Sequence, residues 1–219
     1  QVILGCVNVI ADEMNPARVA ALRLGLGEQM VAFTMQINCG SGMQSIDTAY
    51  RYIREGASNL ILAGGAEALS YAPLVWPQAG VRWFAGLAGA KGLRAKIMAA
   101  LKARPSYFKP IIGLERGLTD PITELNMGQT AEVVGHLFGI TREQSDVYAA
   151  ESHQRLAKAQ ADGLLKGEVE TAFSRNGQFY DHDDGVRPDS TPETLAKLRP
   201  VFERPWGKVT PGNSSQITD

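Results

Sequence analysis

Residues 31–55, VAFTMQINCGSGMQSIDTAYRYIRE, decide the fold of this chain. Val31 to Ile37 carries β-branched and aromatic residues and predicts a strand. Asn38-Cys39-Gly40 is a tight turn. Ser41 to Glu55 follows with Met43, Ile46, Ala49, Tyr50 and Ile53 at helical spacing, and Gly56 ends that helix. Strand, turn and helix are thus joined with almost no linker.

Working outward, Val2 to Val7 reads as a mostly buried strand. Asn15-Pro16 starts a helix, Asn as cap and Pro in the first turn, which stops near Gly25 or Gly27. Leu60 to Ala63 is a short apolar strand before Gly64-Gly65. The order strand, helix, strand, turn, helix, strand predicts an α/β layered fold with a parallel-rich sheet buried on both faces. Residues 70–125 break the pattern with five prolines and no clear alternation, which reads as a long insertion. Order returns with a helix over 128–138. A capping box at Thr141-Arg142-Glu143-Gln144 opens a long helix to Ala161, and Val169 to Phe173 is a strand. Residues 181–189 form an acidic loop, and Thr191-Pro192 starts a short helix.

Composition narrows the class. The 219 residues are 44% hydrophobic and 21% charged, with net charge −1. Enough chain is present to bury a core without staples. No apolar run of membrane-spanning length and no secretory signal occurs, and two cysteines cannot build a disulfide framework. The expected setting is a reducing interior: cytoplasmic in a bacterium, mitochondrial or peroxisomal in a eukaryote, and not secreted. Neither metal ligation nor nucleic-acid binding is expected. His182 stands among Asp181, Asp183 and Asp184, which reads as a solvated acidic loop, and no cysteine–histidine spacing suggests zinc. Glycine is the outlier at 23 residues, above the ordinary share of about 7%.

The near-neutral total hides an asymmetry. From Arg82 to Arg116 there are eight Lys or Arg and one acid, Glu115. The remaining 184 residues hold fourteen basic and twenty-two acidic side chains. Trp83, Phe84, Tyr107 and Phe108 interleave with the charges, and Leu93, Ile97 and Leu101 make an apolar stripe. The lobe reads as a positive field for phosphates, as a docking surface for an acidic membrane or partner subunit, or as a solvated charged face.

The chemistry concentrates at Cys39. A strand delivers it to a turn bracketed by Gly40 and Gly42, and a helix starts at once. Such a turn lets a nucleophile stand clear of the backbone. The positive end of a helix favours the anionic form of a group beside it, and its free N–H groups can stabilise an oxyanion. The glycines leave room for a substrate. The competing reading is a small buried cysteine beside a turn.

Asn38-Cys39-Gly40-Ser41-Gly42 resembles the nucleophile motif of the thiolases. Ala63-Gly64-Gly65-Ala66-Glu67-Ala68-Leu69-Ser70 resembles their Gly-Gly-x-Glu-x-x-Ser loop. Asn126 to Glu132 resembles their Met-Gly-x-Thr-Ala-Glu helix start. Ala196 to Phe202 and Val209 to Ser215 resemble the run into their Gly-Asn-x-Ser turn. The likeness covers nearly the whole chain. The wording Leu198-Arg199-Pro200-Val201-Phe202 with Asn213-Ser214-Ser215 is most similar to the long-chain β-oxidation thiolases, including β-subunits of trifunctional complexes.

The resemblance implies an α-β-α layered fold with an inserted loop domain. It divides the chain into 1–70 as the nucleophile half of an N-terminal domain, 71–205 as a loop and CoA-binding domain whose helices over 126–162 pack back on the core, and 206–219 as a return to that core. It implies an acyltransferase in which Cys39 takes an acyl group from a 3-ketoacyl-CoA or acetyl-CoA, with CoA as substrate and no bound cofactor. Met127 would line the acyl pocket, Arg187 would meet the CoA adenine and Ser215 the pantetheine arm. Asn38, Gly40, Gly42 and Asn213 would brace the site. Core filling for Met127, an ordinary turn for Ser215 and a surface position for Arg187 are the competing readings. A homodimer or homotetramer is implied, with an α-subunit or membrane surface as further partner of the lobe 82–116.

The same resemblance makes the chain an expected fragment. Family members begin with a further strand and helix. They also carry an activating histidine, a second cysteine and a water-holding asparagine that no residue here matches; His136, His153 and His182 are elsewhere in the pattern. On that reading the 219 residues alone turn over little or no substrate. Two alternatives stay open: a thiolase-fold binding or assembly module without catalysis, and a ketoacyl-synthase-like condensing enzyme.

Overall fold

The computed structural model describes residues 1–218. The chain divides into two compact units, residues 1–117 and 118–218. The sequence-based divisions fall at 70/71 and 205/206.

The first unit is built on three parallel strands. β1 (Val2–Gly5) lies between β2 (Ala32–Met35) and β3 (Leu62–Gly65). The central strand is short, apolar and buried, as parallel strands between helices must be. Its side chains alternate between two faces. Val2 packs with Ala17 and Ala21 of α1 (Pro16–Arg23), joined by Leu4, Met30 and Ala32. Ile3 and Gly5 face the other way, towards α2 (Ser41–Arg54), which buries Ser45 and Ala49. Helices on opposite faces of one parallel sheet give the expected α-β-α layering.

Local signals account for the helix ends. Asn15 Oδ1 accepts from the Arg18 N–H at 3.2 Å and so caps α1. Gly56 closes α2 at φ +73°, where it and Ala57 donate to the last carbonyls. The third strand is displaced from expectation: it covers 62–65, not 60–63. Register decides this, because Gly64 and Gly65 pair with Leu4 and Gly5 while Leu60 lies outside the ladder. Burial also falls short of expectation. Leu62 of β3 and the outer stripe Met43, Ile46, Tyr50 and Ile53 of α2 are exposed.

The remainder of this unit is the basic lobe. β4 (Leu74–Val75) pairs antiparallel with β5 (Ile111–Ile112) and frames α3 (Gln78–Gly89) and α4 (Leu93–Ala100), and α5 (Gly113–Gly117) follows. Its interleaved aromatic residues form a partly exposed ring cluster. Trp83 meets Phe84 at 4.8 Å and Phe108 at 5.4 Å, ring centre to ring centre. Its indole N–H donates to the Ala99 carbonyl. Leu93, Ile97 and Leu101 are exposed, Leu93 and Leu101 at 77% and 75%.

The second unit contains α6 (Met127–Leu137), α7 (Arg142–Ala161), a two-stranded ribbon of β6 (Ala172–Phe173) and β7 (Phe179–Tyr180), and α8 (Pro192–Leu195). α6 and α7 both begin with a full capping box, Asn126 with Gln129 and Thr141 with Gln144. Among the described residues no helix is long and apolar enough to cross a membrane.

Candidate active site

All three parallel strands of the first unit end at one edge, and Cys39 stands there. Parallel α/β sheets bind ligands outside the carboxyl ends of their strands. β2 runs out through Gln36 and Ile37 into a turn in which Asn38 takes φ +54°, a left-handed conformation that Asn tolerates better than most residues. Cys39 follows, its thiol exposed and free. The helix starts two residues later.

Ser41 holds this turn closed. Its hydroxyl donates to the Asn38 carbonyl at 2.6 Å and accepts from the Ile37 N–H at 2.9 Å. The Ser41 and Gly40 N–H groups donate back to Asn38 and Ile37. Four bonds within five residues fix where the sulfur stands. The N–H groups of Gly42 and Met43 have no partner among the described residues, as expected in a first helical turn. They are free to donate to an anionic group placed beside Cys39.

The glycines act unequally. A Cβ on Gly40 would press on the Ile37 side chain at 3.0 Å, whereas one on Gly42 would meet nothing within 4 Å. The tight contact comes from Gly5 on β1. A Cβ there would lie 2.4 Å from the Ser41 carbonyl carbon and 2.5 Å from the Gly42 nitrogen. Gly65 on β3 also lies against Gly42, 3.6 Å from its Cα by the same construction. The Cys39 turn is therefore seated on bare backbone from two strands.

Glu67 fastens the same edge. Its carboxylate accepts from the Val7 N–H at 2.9 Å and the Asn8 N–H at 2.8 Å. Cys6 Sγ lies 3.6 Å from Glu67 Oε1. Burial, then the Glu67 charge, pushes the Cys6 thiol above its ordinary pKa, which keeps it protonated and inert. Gln36 Nε2 donates to the Val7 carbonyl at 2.8 Å.

The other candidate residues lie in the second unit. Asn213 is fully engaged there: Oδ1 accepts from the Thr210 N–H, and Nδ2 donates to Asp146 Oδ1 at 2.9 Å and the Lys208 carbonyl at 2.8 Å. Asp146 is buried on α7 and also pairs with Arg142, Nε to Oδ2 2.7 Å. Arg142 donates in turn to the Leu195 and Leu198 carbonyls. Residues 208–213 are thus tied to α6 and α7.

Glu132 on α6 does the same work one step away. It is 3% exposed and accepts from the N–H groups of Lys208 and Val209. Gly128 accommodates the Phe202 ring; a Cβ there would fall 1.9 Å from Phe202 Cε2. The Met-Gly-x-Thr-Ala-Glu and Leu-Arg-Pro-Val-Phe segments are therefore two sides of one contact. Met127 opens α6 about half exposed. Arg187 and Ser215 are exposed, and the Ser215 hydroxyl donates to the neighbouring Gln216 carbonyl.

Sequence reasoning missed Gly5, Ser41, Glu67, Glu132 and the Arg142–Asp146 pair as positioning groups. Two signals were present: Glu67 and Glu132 are the acids of quoted motifs, and Arg142 and Asp146 stand at i, i+4 spacing. Among the described residues no three His, Cys, Asp or Glu side chains gather where they could hold a metal ion.

The chain is similar to several known proteins. The family model described as "Thiolase, N-terminal domain" matches residues 1–219. A 3-ketoacyl-CoA thiolase of Photobacterium profundum is 34% identical over the whole chain, which covers 50% of that relative. A probable acetyl-CoA acyltransferase of Staphylococcus aureus is also 34% identical, with 52% of its length covered. The crystal structure of the Bacillus anthracis acetyl-CoA acetyltransferase superposes with TM-score 0.83 at 34% identity, over 99% of this chain and 50% of that one. Human mitochondrial 3-ketoacyl-CoA thiolase in complex with CoA gives 0.77 at 30% identity, over 95% of this chain and 48% of that one. The chain spans about half the length of the curated relatives it matches.

Proposed function

Since the chain belongs to the thiolase family, as its N-terminal domain, we propose that it supplies the nucleophile half of an acyl-CoA C-acyltransferase. Cys39 is the nucleophile. Its thiolate adds to the 3-keto carbon of a 3-ketoacyl-CoA, and the C2–C3 bond breaks. The acyl group stays on sulfur as a thioester, and the acetyl-CoA carbanion takes up a proton. The thiol of a second CoA then attacks the thioester, releasing the shortened acyl-CoA and freeing Cys39. Run backwards with acetyl-CoA, the same steps form a carbon–carbon bond. A soft thiolate on a thioester or ketone carbonyl suits covalent catalysis.

The observation that carries this reading is the seat of Cys39. The thiol is exposed in a turn locked by Ser41, and the Gly42 and Met43 N–H groups, three and four residues on, are without a partner among the described residues. Met127, Arg187 and Ser215 are assigned to the acyl pocket, the CoA adenine and the pantetheine arm. All are at least partly exposed, as ligand contacts must be. Arg187 can stack its guanidinium on a base. The groups that activate Cys39 are assigned to the part of the protein outside these residues, and the working enzyme to a homodimer or homotetramer. The test is Cys39→Ala in the full-length protein, which loses at least about a thousandfold in turnover while CoA still binds. Retained turnover overturns the assignment.

A second reading concerns the lobe 82–116. Its stripe Leu93, Ile97 and Leu101 is exposed beside Arg94, Lys96 and Lys102. Apolar anchors among basic residues favour an anionic membrane surface over a partner subunit. Sedimentation of the full-length protein with anionic but not neutral vesicles tests this.

A further inference from the structure

His153 faces the loop that carries Arg187, and the loop is held by its main chain. The Arg187 N–H donates to His153 Nδ1 at 3.2 Å. One residue on, Gln154 Nε2 donates to the Ser190 carbonyl at 3.0 Å. Two helical turns beyond His153, Gln160 Nε2 donates to the Asp183 carbonyl at 3.0 Å. Gln216 Nε2 reaches the Gly185 carbonyl from the C-terminal side at 3.3 Å. Ser190, where the loop ends, is buried. These contacts grip backbone atoms of 183, 185, 187 and 190 and leave the side chain of Arg187 untouched. Its guanidinium has no partner among the described residues, although Asp181, Asp183, Asp184 and Asp189 are close in sequence. A pinned backbone spares the ligand the cost of ordering the loop, leaving only the Arg187 side chain to be fixed on binding.

We propose that His153 is a positioning residue for CoA: its Nδ1 fixes the backbone at Arg187, so that the guanidinium meets the adenine end of CoA. The inference rests on the proposed role of Arg187. Nδ1 acts as acceptor here, so the ring proton sits on Nε2. His153 touches no reacting atom. Its loss therefore falls on the binding of CoA rather than on the chemistry at Cys39.

The test is steady-state thiolysis by the full-length enzyme, with CoA varied. Arg187→Ala raises KM for CoA about tenfold. His153→Ala raises it by a similar factor, with a far smaller change in kcat. His153→Asn, whose amide oxygen can stand where Nδ1 stands, restores most of the loss. Combining Arg187→Ala with His153→Ala adds little beyond either alone, since both act through one contact. An unchanged KM in His153→Ala beside a raised KM in Arg187→Ala overturns the positioning role and leaves the Arg187 assignment standing. An unchanged KM in Arg187→Ala overturns that assignment and this inference with it. A fall in kcat alone, or a failure of Asn to rescue, also overturns it.

Discussion

The backbone of Ser41 rests on Gly5 so closely that a methyl on Gly5 would stand 2.4 Å from the Ser41 carbonyl carbon. The strand thus fixes the height at which Cys39 stands above the sheet. Gly5→Ala must lift the start of α2 or bend β1. Overpacking of this kind costs about 1–3 kcal/mol. Displacing a reactive group by an ångström costs on the order of a hundredfold in rate. The full-length variant therefore shows a lower Tm and a slowed acylation step. An unchanged acylation rate would mean that the turn is not held from below.

Glu132 stabilises the second unit by accepting from two backbone N–H groups of the 208–209 segment. Glu132→Ala leaves both without a partner, at about 1–3 kcal/mol for each buried group. Thermal unfolding of the full-length protein shows a Tm several degrees lower. Glu132→Gln keeps one acceptor oxygen and loses less.

The two cysteines differ in reactivity for physical reasons. Cys39 is exposed, whereas Cys6 is buried with its thiol held protonated by burial and Glu67. Brief iodoacetamide treatment at neutral pH labels Cys39 at least about ten times faster than Cys6. Peptide mapping after alkylation reads this directly. Glu67→Gln speeds the slow reaction of Cys6.

His182 and Asp181 form an exposed pair at 2.6 Å. The hydrogen bond to Asp181, then its charge, raises the His182 pKa above the ordinary imidazole value and lowers that of Asp181. The His182 contribution is whole below the ordinary imidazole pKa and fades as pH rises through the raised one. The Asp181 contribution is whole above its ordinary pKa and fades as pH falls through the lowered one. The pair is intact between these limits, and its exposure keeps the effect on stability small. NMR titration finds the His182 midpoint raised, and Asp181→Asn brings it back down.

The fold of residues 1–65 was legible because each element carries a local signal: Asn15-Pro16 starts a helix, the apolar period marks α2, and Gly56 ends it. The Cys39 turn was legible as a strand and a helix meeting at Asn38-Cys39-Gly40. What holds that turn was not. Gly5 is thirty-four residues from Cys39 in sequence, and its closeness to Ser41 depends on sheet order, which no local pattern encodes. The register of β3 was misplaced for the same reason, since hydrophobicity marks Leu60 and Ile61 while pairing selects Gly64 and Gly65. In the basic lobe the aromatic residues read as an accompaniment to the charges. They instead meet one another, because Phe108 from a separate segment reaches Trp83 and Phe84 of α3. The carboxylates of Glu67 and Glu132 were visible within motifs, but their backbone partners became apparent only in three dimensions.

The central claim is that Cys39 carries the acyl group. The direct measurement is to incubate the full-length protein with an isotopically labelled acyl-CoA, quench in acid and map the adduct by mass spectrometry. The account predicts one labile thioester on the peptide containing Cys39, lost on addition of CoA and absent in Cys39→Ala. Label on Cys6 or on any other residue, or a labelled Cys39→Ala variant, would contradict it.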